Sequence, residues 1–112
     1  MPYLNLDDNY ADHIKVDALS DAAFRLHTSA LCHCAKQLTD GYVDDTRLTR
    51  LVPRYKRSAL TELEKSGMWI RGDGGWWIHD YLEWNKPRSW WVAKRERDAK
   101  RKADWRSKNV ED

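Results

Sequence analysis

Reactive chemistry needs particular side chains at particular separations, and only a few places in this 112-residue chain come near to having them. The stretch "HTSALCHC" holds His27, Cys32, His33 and Cys34, residue types that ligate zinc. On a helix, His27 and Cys34 share a face but lie two turns apart, about 10 Å of rise. Cys32 and His33 point elsewhere, and no second thiol pair exists to complete four ligands. The pattern fits a buried cysteine on a core helix, so no metal or other cofactor is expected. In "IHDYLE", His79 and Asp80 are strand neighbours and face opposite sides. Neither has a nucleophile partner. Asp7-Asp8 and Asp44-Asp45 fall where turns and helix caps are expected, and no glycine loop of the phosphate-cradling kind appears. The chain is not expected to be an enzyme.

What the chain does carry in quantity is positive charge in the right place for phosphate. Residues 1–85 hold 10 Lys and Arg against 13 Asp and Glu, whereas residues 86–110 hold 10 against 3. A mildly acidic body therefore bears a basic tail, an asymmetry that points to nucleic acid or an acidic surface. A solvated charged helix would have the same composition, so the tail alone decides little. Charged residues make up 34% and hydrophobic residues 41% of the chain, the balance of a single globular domain. No apolar run approaches the roughly 18 residues that span a bilayer, so no membrane partner is expected. The start, "MPYLNLDDNY", lacks a secretory layout, and Cys32 and Cys34 are spaced unfavourably for a mutual disulfide. A cytoplasmic protein with reduced thiols is expected.

These groups need elements to position them. A short extended segment opens the chain, with a helical turn expected between residues 14 and 19. Ser20 then caps an amphipathic helix of about 18 residues, with Asp21 in its first turn. Its inner stripe is read as Phe24, Leu31, Ala35 and Leu38, with Ala23, His27, Ala30 and Cys34 alongside. Asp40-Gly41 stops it. "YVD" offers one strand rung. Asp44 or Asp45 caps a two-turn helix burying Leu48, Leu51 and Val52. Pro53 is expected at the first position of the next helix, "RYKRSALTELEKSG", whose inner residues are Ala59, Leu60 and Leu63 and which Gly67 ends.

"GMWIRGDGGWWIHDYLEWN" reads as a hairpin closed by a primed turn at Asp73-Gly74. That register sets Arg71 against Trp76, Ile70 against Trp77 and Trp69 against Ile78. Trp69, Trp76, Ile78 and Arg71 then share one face, and Met68, Ile70, Trp77 and His79 the other. Trp69, Trp76 or Trp77, and Trp84 are expected to fill the core. "EWNKPRS" reads as a linker, after which Ser89 caps a basic helix, anchored at its start and frayed or disordered toward Asn109. The expected division is residues 1–85 as the domain and 86–112 as the basic helix or tail.

Long helix, strand rung, short helix, tight turn, second helix, hairpin: this is the order of a winged helix-turn-helix. The expected fold class is α+β, mainly α, with a two-stranded wing hairpin and an added C-terminal helix. In such a fold the second helix of the pair enters the major groove, while the hairpin reaches flanking phosphate or the minor groove. Arg54, Tyr55, Lys56 and Arg57 are then candidates at the front of the recognition helix, with Ser58 and Thr61 on its outer face. Arg47 and Arg50 are candidates for phosphate contacts that position without reading sequence. Arg71 flanks the wing tip, where Asp73 repels phosphate and serves the turn. Lys94, Arg95, Arg97, Lys100, Arg101 and Lys102 would add nonspecific affinity.

The segments "LNLDDNYADHIKVDALSDAAFRLHTSALCHCAKQLTDGYV", "LVPRYKRSALTELEKSGMW" and "GGWWIHDYLEWN" carry a resemblance over roughly residues 3 to 86. The chain resembles the winged-helix module of actinobacteriophage and prophage helix-turn-helix DNA-binding or replication-initiation (replisome-organiser-like) proteins. "DHIKVDALSDAAFRL", "LTDGYV" and "WWIHDYLEWN" are its most specific pieces. The resemblance implies phage origin, a bacterial host cytoplasm, and double-stranded DNA as the partner of a small regulator or replication accessory factor. A rival reading follows from the aromatics, because Trp90 and Trp91 beside arginines are what protein interfaces favour. In it the chain is a phage adaptor that binds a host or replisome protein, or a second copy of itself. Base stacking on single strands by Trp77 or Trp105 is a third option.

Overall fold

The computed structural model describes residues 3–110. The elements are α1 (Ile14–Asp17), α2 (Asp21–Gln37), β1 (Tyr42–Asp44), α3 (Asp45–Leu51), α4 (Arg57–Lys65), β2 (Trp69–Gly72), β3 (Gly75–Ile78), α5 (Tyr81–Trp84) and α6 (Arg88–Val110). The architecture is α+β and mainly helical, with a three-stranded antiparallel sheet in the order β1-β3-β2.

α2 is the central helix, and α3 and α4 both pack on it. Ser20 caps it as expected, its Oγ accepting from Ala23 N at 3.2 Å. Its buried face is Ala23, Leu26, His27, Ala30, Leu31, Cys34 and Ala35. The expected stripe is therefore rotated: Phe24 is 36% exposed and Leu26 is fully buried. The reason lies in size, since Ala23, Ala30 and Cys34 let neighbouring elements approach closely and the bulkier Phe24 turns outward. The helix also stops sooner than Asp40-Gly41. Leu38 takes the left-handed conformation at φ 54° and, as the C-cap, leaves the helical stripe.

The "YVD" segment does more than add a rung. β1 pairs with β3 along Tyr42↔Trp77, Val43↔Trp76 and Asp44↔Gly75, which adds a third strand to the expected two-stranded hairpin. Three residues are too few to show a strand period, and it is pairing that makes them one. Glycine at 75 permits it, because a Cβ there would fall 2.5 Å from Val43 O and 2.6 Å from the Tyr42 ring. The hairpin register is the expected one, from Trp69↔Ile78 to Gly72↔Gly75. Trp69, Trp76 and Ile78 face the core, and Ile70 and Trp77 face out, half-exposed. Met68, expected on the outer face, precedes β2 and is buried. The turn itself is not primed: Gly74 has φ 72°, but Asp73 is not in the left-handed region. Tyr42 Oη donates to Asp73 O at 2.8 Å and braces this conformation.

The link between α3 and α4 differs most from expectation. Asp44 is the cap of α3, with Oδ1 accepting from Thr46 N at 2.7 Å. Pro53, however, does not open α4. Tyr55 N donates to Val52 O at 3.1 Å, and Arg54 sits at φ 62°. Pro53 second and a left-handed residue third is the arrangement of a type II turn. α4 therefore begins only at Arg57, after the extended Lys56.

The core joins Val16 and the inner faces of α2, α3 and α4 to Val43, Trp69, Trp76, Ile78 and Tyr81. Trp84, expected inside, is 58% exposed on α5. α6 starts at Arg88, so Ser89 lies within it rather than capping it. The Arg88 N–H instead donates to Asp40 Oδ1 at 2.7 Å, a carboxylate brought from the α2–β1 link to the positive end of the helix. The helix stays regular through Val110, where fraying was expected. At about 1.5 Å per residue, 23 residues project far from a small body, giving extents of 64 × 30 × 21 Å. No described helix is long and apolar enough to cross a membrane.

Candidate nucleic-acid interface

α3 and α4 turn their apolar residues inward, Leu48 from α3 and Ala59 and Leu63 from α4. That leaves Arg47 and Arg50, three apart, on the exposed side of α3, and Arg57, Ser58 and Thr61 on the exposed side of α4. Arg54 and Lys56, also exposed, lie in the connecting turn and not in the first turn of α4, which corrects their expected helical position. Tyr55 is placed differently again. It is half-buried and packs against the core, so its ring holds the turn down. Thr61 Oγ1 donates back to Arg57 O at 3.3 Å.

From Thr46 to Thr61 the chain carries five cations and no acid. None of Arg47, Arg50, Arg54, Lys56 and Arg57 makes an ion pair with a described residue. The acids that border this run are committed elsewhere, Asp45 to Arg71 and Glu62 to Ser20 N, from which it accepts at 2.7 Å. His33, on α2, has its pKa lowered by burial and by the nearby charge of Arg47. The α4 N-terminus adds to this field. α2 and α3 begin with a side-chain cap and an acid in the first turn; α4 has neither. Its leading N–H groups thus lack a side-chain acceptor, in a setting that favours an anion.

Arg71 has a partner already. Its guanidinium forms two parallel bonds to the Asp45 carboxylate, at 2.6 and 2.8 Å, and lies 5.1 Å from the centroid of the Trp76 ring. The pairing lowers the Asp45 pKa and raises that of Arg71. The doublet Asp44-Asp45 is thereby divided: the first caps α3 and the second ties α3 to the hairpin. On α6, Lys94 and Arg101 flank Asp98 at 3.0 and 2.6 Å and hold its pKa down. Arg95, Arg97, Lys100 and Lys102 are exposed and make no ion pair with a described residue. These cations point around most of the helix circumference, as the 100° step between residues requires.

Comparison with families of known proteins, with curated proteins and with solved structures finds no match.

The remaining candidates have structural neighbours. Trp90 and Trp91, both half-buried, meet edge to face at 4.8 Å. Tyr3 packs edge-on to Trp91 at 5.4 Å, and Lys86 Nζ lies 5.6 Å from the Trp90 ring centroid. They fasten the start of α6 to the N-terminal segment. Two of the zinc-type residues, Cys34 and His27, are also engaged. Cys34 Sγ lies 3.7 Å from Tyr42 O, and burial pushes its pKa to about 11, while Cys32 is exposed. His27 Nδ1 accepts from Trp69 Nε1 at 2.9 Å. Sequence reasoning missed this bond and the Asp40 anchor of α6. Both join residues more than 40 positions apart, and neither leaves a local pattern.

Proposed function

We propose that the chain is a phage-type double-stranded DNA-binding protein, a replication accessory factor or transcriptional regulator. In this reading α3, the Pro53-Arg54 turn and α4 form a helix-turn-helix, and β2–β3 form its wing. α4 enters the major groove, Arg47 and Arg50 hold backbone phosphate, and α6 adds nonspecific affinity. The observation that carries the reading is the run of five cations, unpaired among the described residues, and no acid leading into an uncapped α4. The order of elements and the resemblance to phage winged-helix modules support it further.

The corrected turn sharpens the assignment. Arg54 and Lys56 project from the turn ahead of α4, where they suit phosphate, and Arg57, Ser58 and Thr61 remain for base edges. Arg71 reaches DNA only by exchanging the Asp45 carboxylate for phosphate.

The test is an electrophoretic shift of native phage DNA at two salt concentrations. Four phosphate contacts at the α3–α4 face predict a slope of log affinity against log salt of about −3 to −4 from this face alone. Replacing Arg54, Lys56 and Arg57 together with alanine is expected to abolish the specific shift. A triple variant that shifts DNA as the wild type does sinks the proposal.

One observation favours the adaptor alternative. Ile70, Trp77 and Tyr42 lie side by side across all three strands on the outer face of the sheet, and Ile70 and Trp77 are 50% and 45% exposed. An apolar row of this kind suits a protein partner. Loss of partner binding in a Trp77→Lys variant whose DNA shift is intact would favour it.

A further inference from the structure

On the side of α2 that meets the N-terminal segment, a cleft of about 490 Å³ opens toward the β3–α5 corner. Its walls include Tyr10, His27, Leu31, Met68, Ile78 and Tyr81. The volume lies within the roughly 300–1,000 Å³ of small-molecule sites, and apolar walls with a few polar groups are their usual lining.

The His27 imidazole brings an unpartnered polar atom to that wall. His27 is 5% exposed. Its Nδ1 accepts the Trp69 indole N–H, so in the neutral ring the proton sits on Nε2, which becomes a donor. Burial lowers the His27 pKa to about 4, which keeps the ring neutral near pH 7. The Nε2–H makes no hydrogen bond to a described residue, yet it is not sealed in. Among the described residues, Thr39 Oγ1 alone is a fully buried side-chain polar atom with no partner. With its other edge against Trp69, the ring presents Nε2 to the cleft. Two neighbouring polar side chains already have partners: Tyr10 Oη pairs with Thr28 Oγ1 at 2.9 Å, and Asn85 holds Asn5 N at 2.8 Å and Tyr81 O at 3.3 Å. The Tyr10 ring lies nearly parallel to His27, at 13° with centroids 6.3 Å apart, which makes a flat aromatic wall. Around the mouth, Asp7, Asp80 and Glu83 outnumber Lys15 and disfavour an anion.

We propose that this cleft binds a compact, uncharged, planar organic molecule whose single hydrogen-bond acceptor receives the Nε2–H of His27. An unpaired donor in the cleft wall makes the site selective, because a ligand without the acceptor covers that donor and leaves it desolvated and unsatisfied. The proposal is independent of DNA binding.

The probe is 6-propionyl-2-dimethylaminonaphthalene, a neutral planar ketone whose emission shifts to the blue on leaving water, titrated into the full chain. Saturable blue-shifted binding is expected, with 2-propylnaphthalene, which has no acceptor, competing at least about tenfold more weakly than 2-acetylnaphthalene. A His27→Phe variant keeps a flat ring without the donor and is expected to bind the probe at least about tenfold more weakly. Absence of saturable binding up to the solubility limit overturns the proposal. So does equal competition by the hydrocarbon, a comparison on the wild type that stands even if His27→Phe fails to fold. A folded His27→Phe variant with unchanged affinity overturns it as well.

Discussion

His27 shows how much a single buried residue draws from contacts distant in sequence. In the sequence it is one more position on a helix with zinc-type neighbours; in the fold it accepts from Trp69, 42 residues away, and burial lowers its pKa to about 4 from 6.5. The consequence for stability has a definite sign. Between these two values the unfolded chain takes up a proton that the folded ring refuses. The stability contributed by neutral His27 is therefore complete above about pH 6.5 and falls as pH drops toward 4, by about 3 kcal/mol in all. Urea unfolding at pH 7 and pH 4.5 measures this. In His27→Gln, whose side-chain carbonyl retains an acceptor for the indole, most of the pH difference is expected to disappear. An undiminished difference would place the titration elsewhere. Arg54 makes the same point for the backbone: its φ of 62° costs on the order of 1–2 kcal/mol for an L-residue, and no propensity announces it. A proline followed by arginine reads equally well as the start of a helix.

Elements fared unevenly, and the reasons are physical. The hairpin register was legible because the two-residue separation and the alternation of Trp69, Trp76 and Ile78 against Ile70 and Trp77 leave one arrangement that buries the first set. β1 was legible as a strand rung but its pairing was not, since its partner β3 lies over 30 residues away. The Asp44-Asp45 doublet is instructive: the cap was readable, but the use of the spare carboxylate was not. Because Asp45 holds the Arg71 guanidinium, it acts against the proposed DNA contact of the wing twice, as a negative charge and as a competitor. Asp45→Ala is expected to tighten duplex binding and steepen the salt slope by about 0.9, one added phosphate contact. The pair is exposed, so little change in the urea midpoint is expected. A salt titration in which the slope stays the same would remove Arg71 from the interface.

At the scale of the whole molecule, a packed body of helices and a small sheet carries a projecting helix that contributes nothing to the core. The core cluster ends at Tyr81, and α6 is held by the Asp40 bond and the Tyr3, Trp90 and Trp91 contacts. A chain ending at residue 87 is therefore expected to unfold cooperatively, with the Trp69 environment preserved. Nine cations from Arg88 to Lys108 are removed. If about half contact phosphate, the salt slope becomes shallower by about 4 while the preference among DNA sequences stays with α4. A slope indifferent to the truncation would confine α6 to a structural or protein-binding role.

Local patterns in the sequence were enough for the capped central helix, the two short helices, the tight hairpin and the charge division between body and tail, because each depends on neighbours within a few residues. Tertiary structure decided which face of α2 is buried, that β1 completes the sheet, that a left-handed Arg54 delays α4, and that Trp84 stays outside. Each of these is set by close packing and pairing between segments far apart in the chain, where the size of the partner, not the local period, selects the conformation.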